Sequence, residues 1–519
     1  VDLVKGSSVE DKGTDIIVKG PKGELHAKLM PGIVVDVEEA KVTENNSLLT
    51  GPELLAAVKG NLIGSFKSSA LFFSTVVTDS RNVVPLSLFV PLIGEKQDGH
   101  GYIPQALEKG ASVVFVAQSA YEADSAAYES LSVTHGDVAF IAVFHTMHAL
   151  QAAAACYVSK FPQLVRCAVT GSSGKTTTKE ITASILRQKY AVVTNKGNLN
   201  SETGLPLSVF AIRAEHELGL FEMGMNRTNE IGEIAAVLKP QYGIITNIGT
   251  AHIGILGSRD AIAAEKKKIF SYVSADGAAI IPEADDYAQF LADGCRGAVV
   301  YYGGTASEHS GVRFISDDGI EGTTFSVDGV RMRLALPGVY NYQNALGAIA
   351  LARVLGVSAE QIKAGIEAVS ALGGRSHVRK GTYTILEDCY NANPDSMEQA
   401  LALCANATVS GKKLFVLGDM LELGAESKAA HEAAAAQAVA AQPDFLVLVG
   451  AEMGAAREKA LQLGFPRDKL VYEAAHDDAA VRRAATALKA VAAKGDFVLL
   501  KGSRGMALER FIPLLEGEE

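Results

Sequence analysis

Between about Gln151 and Gly374, short apolar runs ending in glycine or proline (VRCAVTG, FEMG, YGIITNIG, AAIIP) alternate with stretches of helical spacing. That alternation predicts a mostly parallel sheet covered by helices. A second alternation starts near Arg375. KLFVLGD, FLVLVG and DFVLLKGS predict strands, and the alanine-rich HEAAAAQAVAAQ and VRRAATALKAVAAK predict helices between them. This is a second doubly wound unit. Ahead of both, LTGPELLAAVKG predicts a capped helix, STVVTDSR, SLFVPLIGE and SVVFVAQ predict strands, and YIPQALEKG predicts a helix. In the first 46 residues, DIIVKG, ELHAKL and GIVVDVEE alternate apolar and polar positions between glycine and proline breaks, as short antiparallel strands do. The expected class is α/β, with a mixed N-terminal domain over 47–150, a central parallel-sheet domain over 151–374 and a C-terminal Rossmann-like domain over 375–519. Residues 1–46 form a strand-rich extension, read as an appendage or fusion remnant; an independent binding module is the alternative.

Composition narrows the field. With 519 residues, 48% hydrophobic and 21% charged, the chain is neither disordered nor fibrous. A formal charge of −11 argues against a nucleic-acid partner spread over the whole surface. No apolar run is long enough to span a membrane, and VDLVKGSSVEDKGTD lacks the apolar core of a signal peptide. The 5 cysteines include no C-x-x-C pair, which argues against a zinc site or disulfide framework and favours a cytoplasmic location.

The sharpest chemical signal is VRCAVTGSSGKTTTKE. An apolar strand runs into Gly171, Ser172, Ser173, Gly174, Lys175, Thr176 and Thr177, and a helical stretch follows. Strand, glycine-rich loop and helix together form a phosphate cradle: backbone N–H groups and the helix dipole face the anion, the lysine reaches outer phosphates, and the threonine hydroxyl faces Mg²⁺. Val169 stands where the strict motif has its first glycine. The bland alternative is a polar turn with no ligand. Glu222 ends the run LGLFEMG, His252 follows ITNIGTAH, and Lys266 lies in AIAAEKKKIF. Glu222 and Thr176 offer the hard oxygen ligands Mg²⁺ prefers. Each also has an ordinary reading: Glu222 as a lysine's partner, His252 as a helix cap, Lys266 on a solvated face.

The order TDSR, DGH, TGSSGKTTTKE, NLNSETGLP, EMG, NIGTAH, EKKKIF, NYQNA, GGR, YNANPDSM, LGDMLELG, KGSRGM resembles the Mur ligases of peptidoglycan synthesis over about residues 48–515. YNANPDSM with LGDMLELG resembles the branch that adds D-Ala-D-Ala to UDP-MurNAc-tripeptide. The resemblance implies a UDP-sugar domain, an ATPase domain and a Rossmann-like domain acting as a monomer on these two small-molecule substrates. It implies that ATP phosphorylates the tripeptide carboxylate and that the dipeptide amine displaces phosphate from the acyl phosphate. Carried over by motif, Lys175 holds the outer phosphates, Thr176 and Glu222 hold one Mg²⁺, and His252 helps bind a second. Lys266 matches the family's carbamylated lysine, which would then be a metal ligand. Asn344 in NYQNA matches the adenine contact, Arg375 in GGR the γ-phosphate contact, and Asp388 the ribose region. Thr203, Asn391, Asn393 and Asp419 match the substrate cleft. Ser80, Arg81, Asp98 and His100 match the uridine-nucleotide region, with a helix cap for TDSR and a tight turn for DGH as alternatives. Lys501 and Arg504 are either substrate contacts or surface charges.

Two positions depart from the family pattern. Tyr340 replaces a histidine before Asn341, on the adenine side. Lys268 replaces a glutamate and is expected to add positive charge beside Lys266. The resemblance further implies that the second-sheet residues reach ATP only when the two α/β units close. Rival readings are a folylpolyglutamate-synthetase-like ligase of the same architecture and a P-loop ATPase or switch that ligates nothing.

Overall fold

The structure is a computed structural model that describes residues 8–11, 15–20, 23–28, 47–64, 66, 71–94 and 97–517. It divides into two compact units, Val1–Ala149 and Leu150–Glu519.

In the first unit, Ser8–Asp11, Asp15–Gly20 and Gly23–Lys28 pair antiparallel in order, so DIIVKG and most of ELHAKL are strands. The expected strand GIVVDVEE lies outside the described residues. A five-stranded sheet follows. Thr75–Val77, Ser87–Phe89, Ala111–Ala117 and Ala139–Val143 pair parallel in that spatial order, and Asn61–Leu62 adds antiparallel at one edge. The predicted helix over LTGPELLAAVKG is Gly51–Val58. Thr50 and Glu53 form a reciprocal capping box at its start, which satisfies two otherwise orphaned N–H groups. SLFVPLIGE is a strand only over Ser87–Phe89, as Pro91 has no N–H to extend the ladder.

The second unit carries two parallel sheets. The first runs Val192–Thr194, Leu218–Glu222, Val165–Thr170, Tyr242–Ile245, Ala278–Pro282, Ala298–Tyr302. Its four central strands are largely buried on both faces, which explains why they read as apolar runs, whereas the two outer strands are partly exposed. The second runs His377–Lys380, Thr384–Asp388, Phe497–Lys501, Lys413–Gly418, Phe445–Val449, Leu470–Glu473, parallel except for its first, edge strand. The two predicted alanine-rich helices are Ser427–Ala440 and Asp478–Val491.

A third element breaks the alternation: an antiparallel meander of Val312–Asp317, Thr323–Val327 and Val330–Leu334. Asp328 and Gly329 join its last two strands with φ 50° and 83°. This is the double positive-φ turn that suits the twist of a hairpin. Phe325, Val327, Met332 and Leu334 add this sheet to the core around the P-loop helix.

Candidate functional site

Strand register builds the site. Glu222 pairs with Val169, and Ile245 pairs with Thr170. The carboxyl ends of three neighbouring strands therefore deliver Glu222, the 171–177 loop and the 246–252 loop to one edge, where open α/β sheets hold ligands. The second sheet does the same. Asp388 is the Cα partner of Lys501, and their side chains meet at 2.7 Å with Lys501 buried.

These edges face one cavity of about 450 Å³. Its lining includes Ser172–Thr177, Asn200, Glu222, Asn247, His252, Tyr340, Asn344, Arg375, Asp388, Asn391, Asn393, Lys501 and Arg504. The residues expected from the two α/β units thus converge, and direct contacts hold the two sheets' loops together. Asn393 Nδ2 donates to Ser173 Oγ at 2.9 Å, and Thr250 N–H donates to Asp395 Oδ2 at 3.1 Å.

The loop is tightly specified. Gly171 accepts hydrogen bonds at its carbonyl from Lys175 Nζ at 2.9 Å and from Lys266 Nζ at 2.8 Å. Gly174 takes φ 77°, and a Cβ there would lie 2.2 Å from Asn344 Oδ1. Asn344 is thereby pressed against the loop and accepts a hydrogen bond from Thr178 Oγ1. The helix Lys175–Leu186 begins at Gly174 without a side-chain cap, which leaves its first-turn N–H groups to face the cavity as helix geometry dictates. A Cβ on Gly171 would stand 1.7 Å from Thr246 Oγ1 and 3.1 Å from its backbone nitrogen. Gly171→Ala should therefore cost about 1–3 kcal/mol of stability and weaken ATP binding, checked by urea unfolding and nucleotide titration.

Thr176 Oγ1 donates to Glu222 Oε2 at 2.7 Å, and Asn200 Nδ2 donates to Glu222 Oε1 at 2.7 Å. Burial holds Lys175 below the ordinary lysine pKa; the Glu222 charge opposes that shift and Arg375 reinforces it. Burial, then the Lys175 charge, pushes Lys266 well below the ordinary value, with Glu265 opposing. Lys266 is fully enclosed, on no solvated face, and lies beneath the loop rather than on the cavity wall. Lys268 does not crowd it. Its ammonium pairs with Glu265 at 2.8 Å and Asn229 Oδ1 at 3.0 Å, so the expected excess of positive charge is neutralised.

His252 adopts φ 65°, and its Nδ1 lies 2.9 Å from Glu422 Oε2, a contact that is an ion pair only when the imidazole is protonated. Arg375 stacks on the Tyr390 ring with 3.7 Å from guanidinium carbon to centroid. Asn391 Oδ1 accepts from Ala392 N–H, while Asn393 caps the helix Pro394–Asn406.

Other expected residues are elsewhere. Asp419 is not on the cavity wall. It is buried, accepting from the N–H groups of Met453 and Glu452 at 2.9 and 3.3 Å. Burial raises its pKa against those two bonds. It serves a helix start rather than the substrate cleft expected from LGDMLELG. Thr203 stands at the start of the helix Gly204–Val209, and its motif neighbours Asn198, Asn200 and Ser201 line the cavity instead. Lys501 is a buried ion-pair partner, not a surface charge; Arg504 is exposed and pairs with Glu509. In the first unit, Ser80 is buried and donates to Gln105 Oε1. Arg81 is exposed and pairs with Asp79, which caps the Ser80–Asn82 turn. Asp98 caps the next turn and meets His100 Nδ1 at 2.6 Å, while His100 Nε2 accepts from Ala117 N–H.

Sequence reading missed two groups. Asn247 Oδ1 accepts from the N–H groups of Ser172 and Ser173, ordering the loop from the neighbouring strand. Asn195 Oδ1 accepts from Glu222 N–H, fixing the strand end that bears the carboxylate. Both asparagines sit in or beside quoted motifs, NIGTAH and NLNSETGLP, where a polar residue ending an apolar run was the available signal.

A P-loop whose lysine, threonine and companion carboxylate share a cleft with a second sheet's arginine and aspartate–lysine pair defines a nucleotide-binding α/β protein. Three family models match: the Mur ligase family catalytic domain over residues 73–157, the Mur ligase middle domain over 169–352 and the Mur ligase glutamate ligase domain over 374–504. A Treponema pallidum protein named UDP-N-acetylmuramoyl-tripeptide–D-alanyl-D-alanine ligase is 43% identical across 91% of this chain and 100% of its own length. The crystal structure of MurF from Acinetobacter baumannii superimposes with a TM-score of 0.78 at 28% identity, covering 90% of this chain and 99% of that one. That of MurF ligase from Thermotoga maritima in complex with ADP gives 0.70 at 25% identity, covering 86% and 97%. The chain belongs to the Mur ligase family.

Proposed function

We propose that this chain is an ATP-dependent amide ligase that joins D-alanyl-D-alanine to UDP-N-acetylmuramoyl-tripeptide, giving the pentapeptide, ADP and phosphate. The observation that carries this reading is the single cavity in which the P-loop and Glu222 meet Arg375, Asp388 and Lys501. The relatives' names point to the same substrates. Division into 47–150, 151–374 and 375–519 assigns the uridine nucleotide to the first part, ATP to the second and the dipeptide to the cleft beside the third. The use of ATP supports a cytoplasmic location, and the family pattern supports a monomer. Among the described residues no helix is long and apolar enough to cross a membrane.

In the forward step a tripeptide carboxylate oxygen attacks the γ-phosphorus and ADP leaves. The dipeptide amine then attacks the acyl carbon, phosphate departs, and the amine proton is released. Two anions must approach one another, so cations have to screen them. Lys175 exchanges its loop carbonyls for the β- and γ-phosphates, Arg375 meets the γ-phosphate, and the first-turn N–H groups hold the chain of phosphates. Asn344 and Tyr340 face adenine. Asp388, already fixed by Lys501, faces ribose, and Asn391 and Asn393 border the dipeptide's path. In the first unit Arg81 is the group offered to the uridine nucleotide. Ser80, Asp98 and His100 are bonded internally and shape its turns.

Mg²⁺ fits the donor set. Thr176 and Glu222 present adjacent oxygens, and among the described residues no group of three or more His, Cys, Asp or Glu converges. That suits an ion which keeps water and phosphate ligands. Bound there, it would neutralise phosphate charge. His252 would serve a second ion. Lys266 supplies no oxygen while it donates to Gly171, but its lowered pKa eases the loss of the proton that must leave before CO₂ can add, and the carbamate would be the second ion's anionic ligand.

Lys266 gives a prediction with a definite sign. Its folded-state pKa is lowered, so burial of the ammonium destabilises the fold fully below that value, and the penalty fades as pH rises towards the ordinary 10.5. In CO₂-free buffer Lys266→Met should melt higher than wild type at neutral pH, with the gap closing towards pH 10.5 and ligase activity lost. A constant gap would remove the buried charge as its cause. Labelled ¹³CO₂ should give a carbamate NMR resonance in wild type that Lys266→Arg lacks.

The decisive assay is phosphate release with ATP, Mg²⁺, D-Ala-D-Ala and UDP-MurNAc-tripeptides differing at the third position. Release independent of the dipeptide would favour a P-loop switch. Turnover of folate with glutamate instead would favour the folylpolyglutamate-type ligase, which the relatives' names do not support.

A further inference from the structure

Arg375 sits between two residues in the left-handed region, Gly374 with φ 76° and Ser376 with φ 51°. Glycine adopts this freely, but serine is strained there, so something must hold it. Two tethers do. Ser376 N–H donates to Asp388 Oδ1 at 3.0 Å, and Ser376 Oγ shares a 2.8 Å hydrogen bond with the Tyr340 phenol. Asp388 is itself fixed by the buried Lys501. Tyr340 comes from the first turn of the helix Val339–Val354, which packs in the core of the first sheet. The tether therefore ties the P-loop sheet's layer to the turn that enters the second sheet. Gly374 closes the other side, its carbonyl accepting from Tyr390 N–H at 2.8 Å. The outcome is an Arg375 guanidinium laid flat on the Tyr390 ring at the cavity wall.

We propose that Tyr340 is a positioning residue for the reaction: through its hydroxyl and Ser376 it fixes the strained turn that carries Arg375 to the transferring phosphate. The inference rests on the ligase reading, in which Arg375 meets the γ-phosphate. Without the phenol oxygen, Ser376 keeps one tether and can relax towards right-handed backbone, which swings Arg375 off Tyr390. The P-loop supplies most of the grip on ATP. Misplacing the arginine should therefore slow phosphoryl transfer far more than it weakens nucleotide binding.

Tyr340→Phe and Ser376→Ala should each lower kcat about tenfold while the KM for ATP moves less than about twofold. The double variant should fall no more than about twofold below the worse single, since both remove one bond. Tyr190→Phe removes a hydroxyl bonded to Leu355 O outside the cavity and should keep the wild-type kcat. A readout without turnover is the Arg375 Nε–H resonance, shifted by the Tyr390 ring in wild type; it should move towards the unshifted position in Tyr340→Phe. Wild-type kcat in Tyr340→Phe, multiplicative losses in the double variant, a raised KM alone, or an unmoved resonance would overturn the proposal. A wild-type enzyme inert towards ATP and both precursors would instead sink the ligase reading, while a moved resonance would still establish the tether.

Discussion

Lys175→Ala should abolish phosphate release, with turnover falling at least about 10³-fold, because a positioned cation facing developing phosphate charge is worth about 3–4 kcal/mol in such sites. The same variant should melt no lower than wild type. Lys175 is half-buried on the cavity wall, and its pKa is pushed down first by desolvation and further by Arg375, with Glu222 alone opposing. Its present partners are two loop carbonyls, at 2.9 Å from Gly171 and 3.3 Å from Ser172. Those are neutral acceptors for a desolvated ammonium, and exchanging them for phosphate oxygens converts each bond to a charge-paired one of roughly twice the strength. The fold therefore holds this lysine at a loss that nucleotide repays, and removing it relieves the loss while destroying function. Phosphate-release kinetics and a thermal melt on one preparation test both halves. Normal turnover in Lys175→Ala would remove the P-loop from the chemistry, and a large drop in melting temperature would show that the lysine is structural.

How far the sequence reaches can be traced residue by residue. The P-loop was legible because its chemistry is local: glycines, lysine and threonine act within one strand–turn–helix. Glu222 was legible because it ends an apolar run. Asp419 ends an apolar run too, in KLFVLGD, yet its carboxylate turns to the N–H groups of Met453 and Glu452. The run marks a strand's carboxyl end, but which neighbour the terminal side chain meets depends on packing against the next crossover. Lys501 could be read as a surface charge because its partner lies 113 positions away in sequence and meets it only through strand register. Asn247 was hidden for a similar reason, since its carbonyl oxygen orders a loop on the adjacent strand. The meander was overlooked although VDGV carries a hairpin signature, because the surrounding helix–strand rhythm suggested only parallel strands. The edge strands Val192–Thr194 and His377–Lys380 are short and only partly buried, so they lack the apolar run that identifies the central strands.

Glu222→Gln isolates charge from shape. Glutamine can accept from Asn200 Nδ2 through its carbonyl and donate to Thr176 Oγ1 through its amide, which keeps both 2.7 Å contacts of the carboxylate. Asn195 continues to hold the backbone of residue 222. Fold stability should therefore change by less than about 1 kcal/mol, as for a bonded group exchanged for one of the same shape. What is lost is an anionic oxygen at the ion and the charge that raises the Lys175 pKa. Both losses act in the same direction: Mg²⁺ is held less tightly, and the phosphate-binding lysine spends less of its time protonated. Phosphate release should fall about 100-fold, and the Mg²⁺ concentration for half-maximal rate should rise about tenfold or more. Excess Mg²⁺ should restore part of the rate but not all of it, because saturating the ion does not replace the Glu222 charge that favours the Lys175 ammonium. The remaining deficit should shrink as pH is lowered, since protons then restore the Lys175 ammonium that Glu222 normally favours. An unchanged Mg²⁺ titration would take Glu222 out of the metal site, and a deficit independent of pH would uncouple it from Lys175.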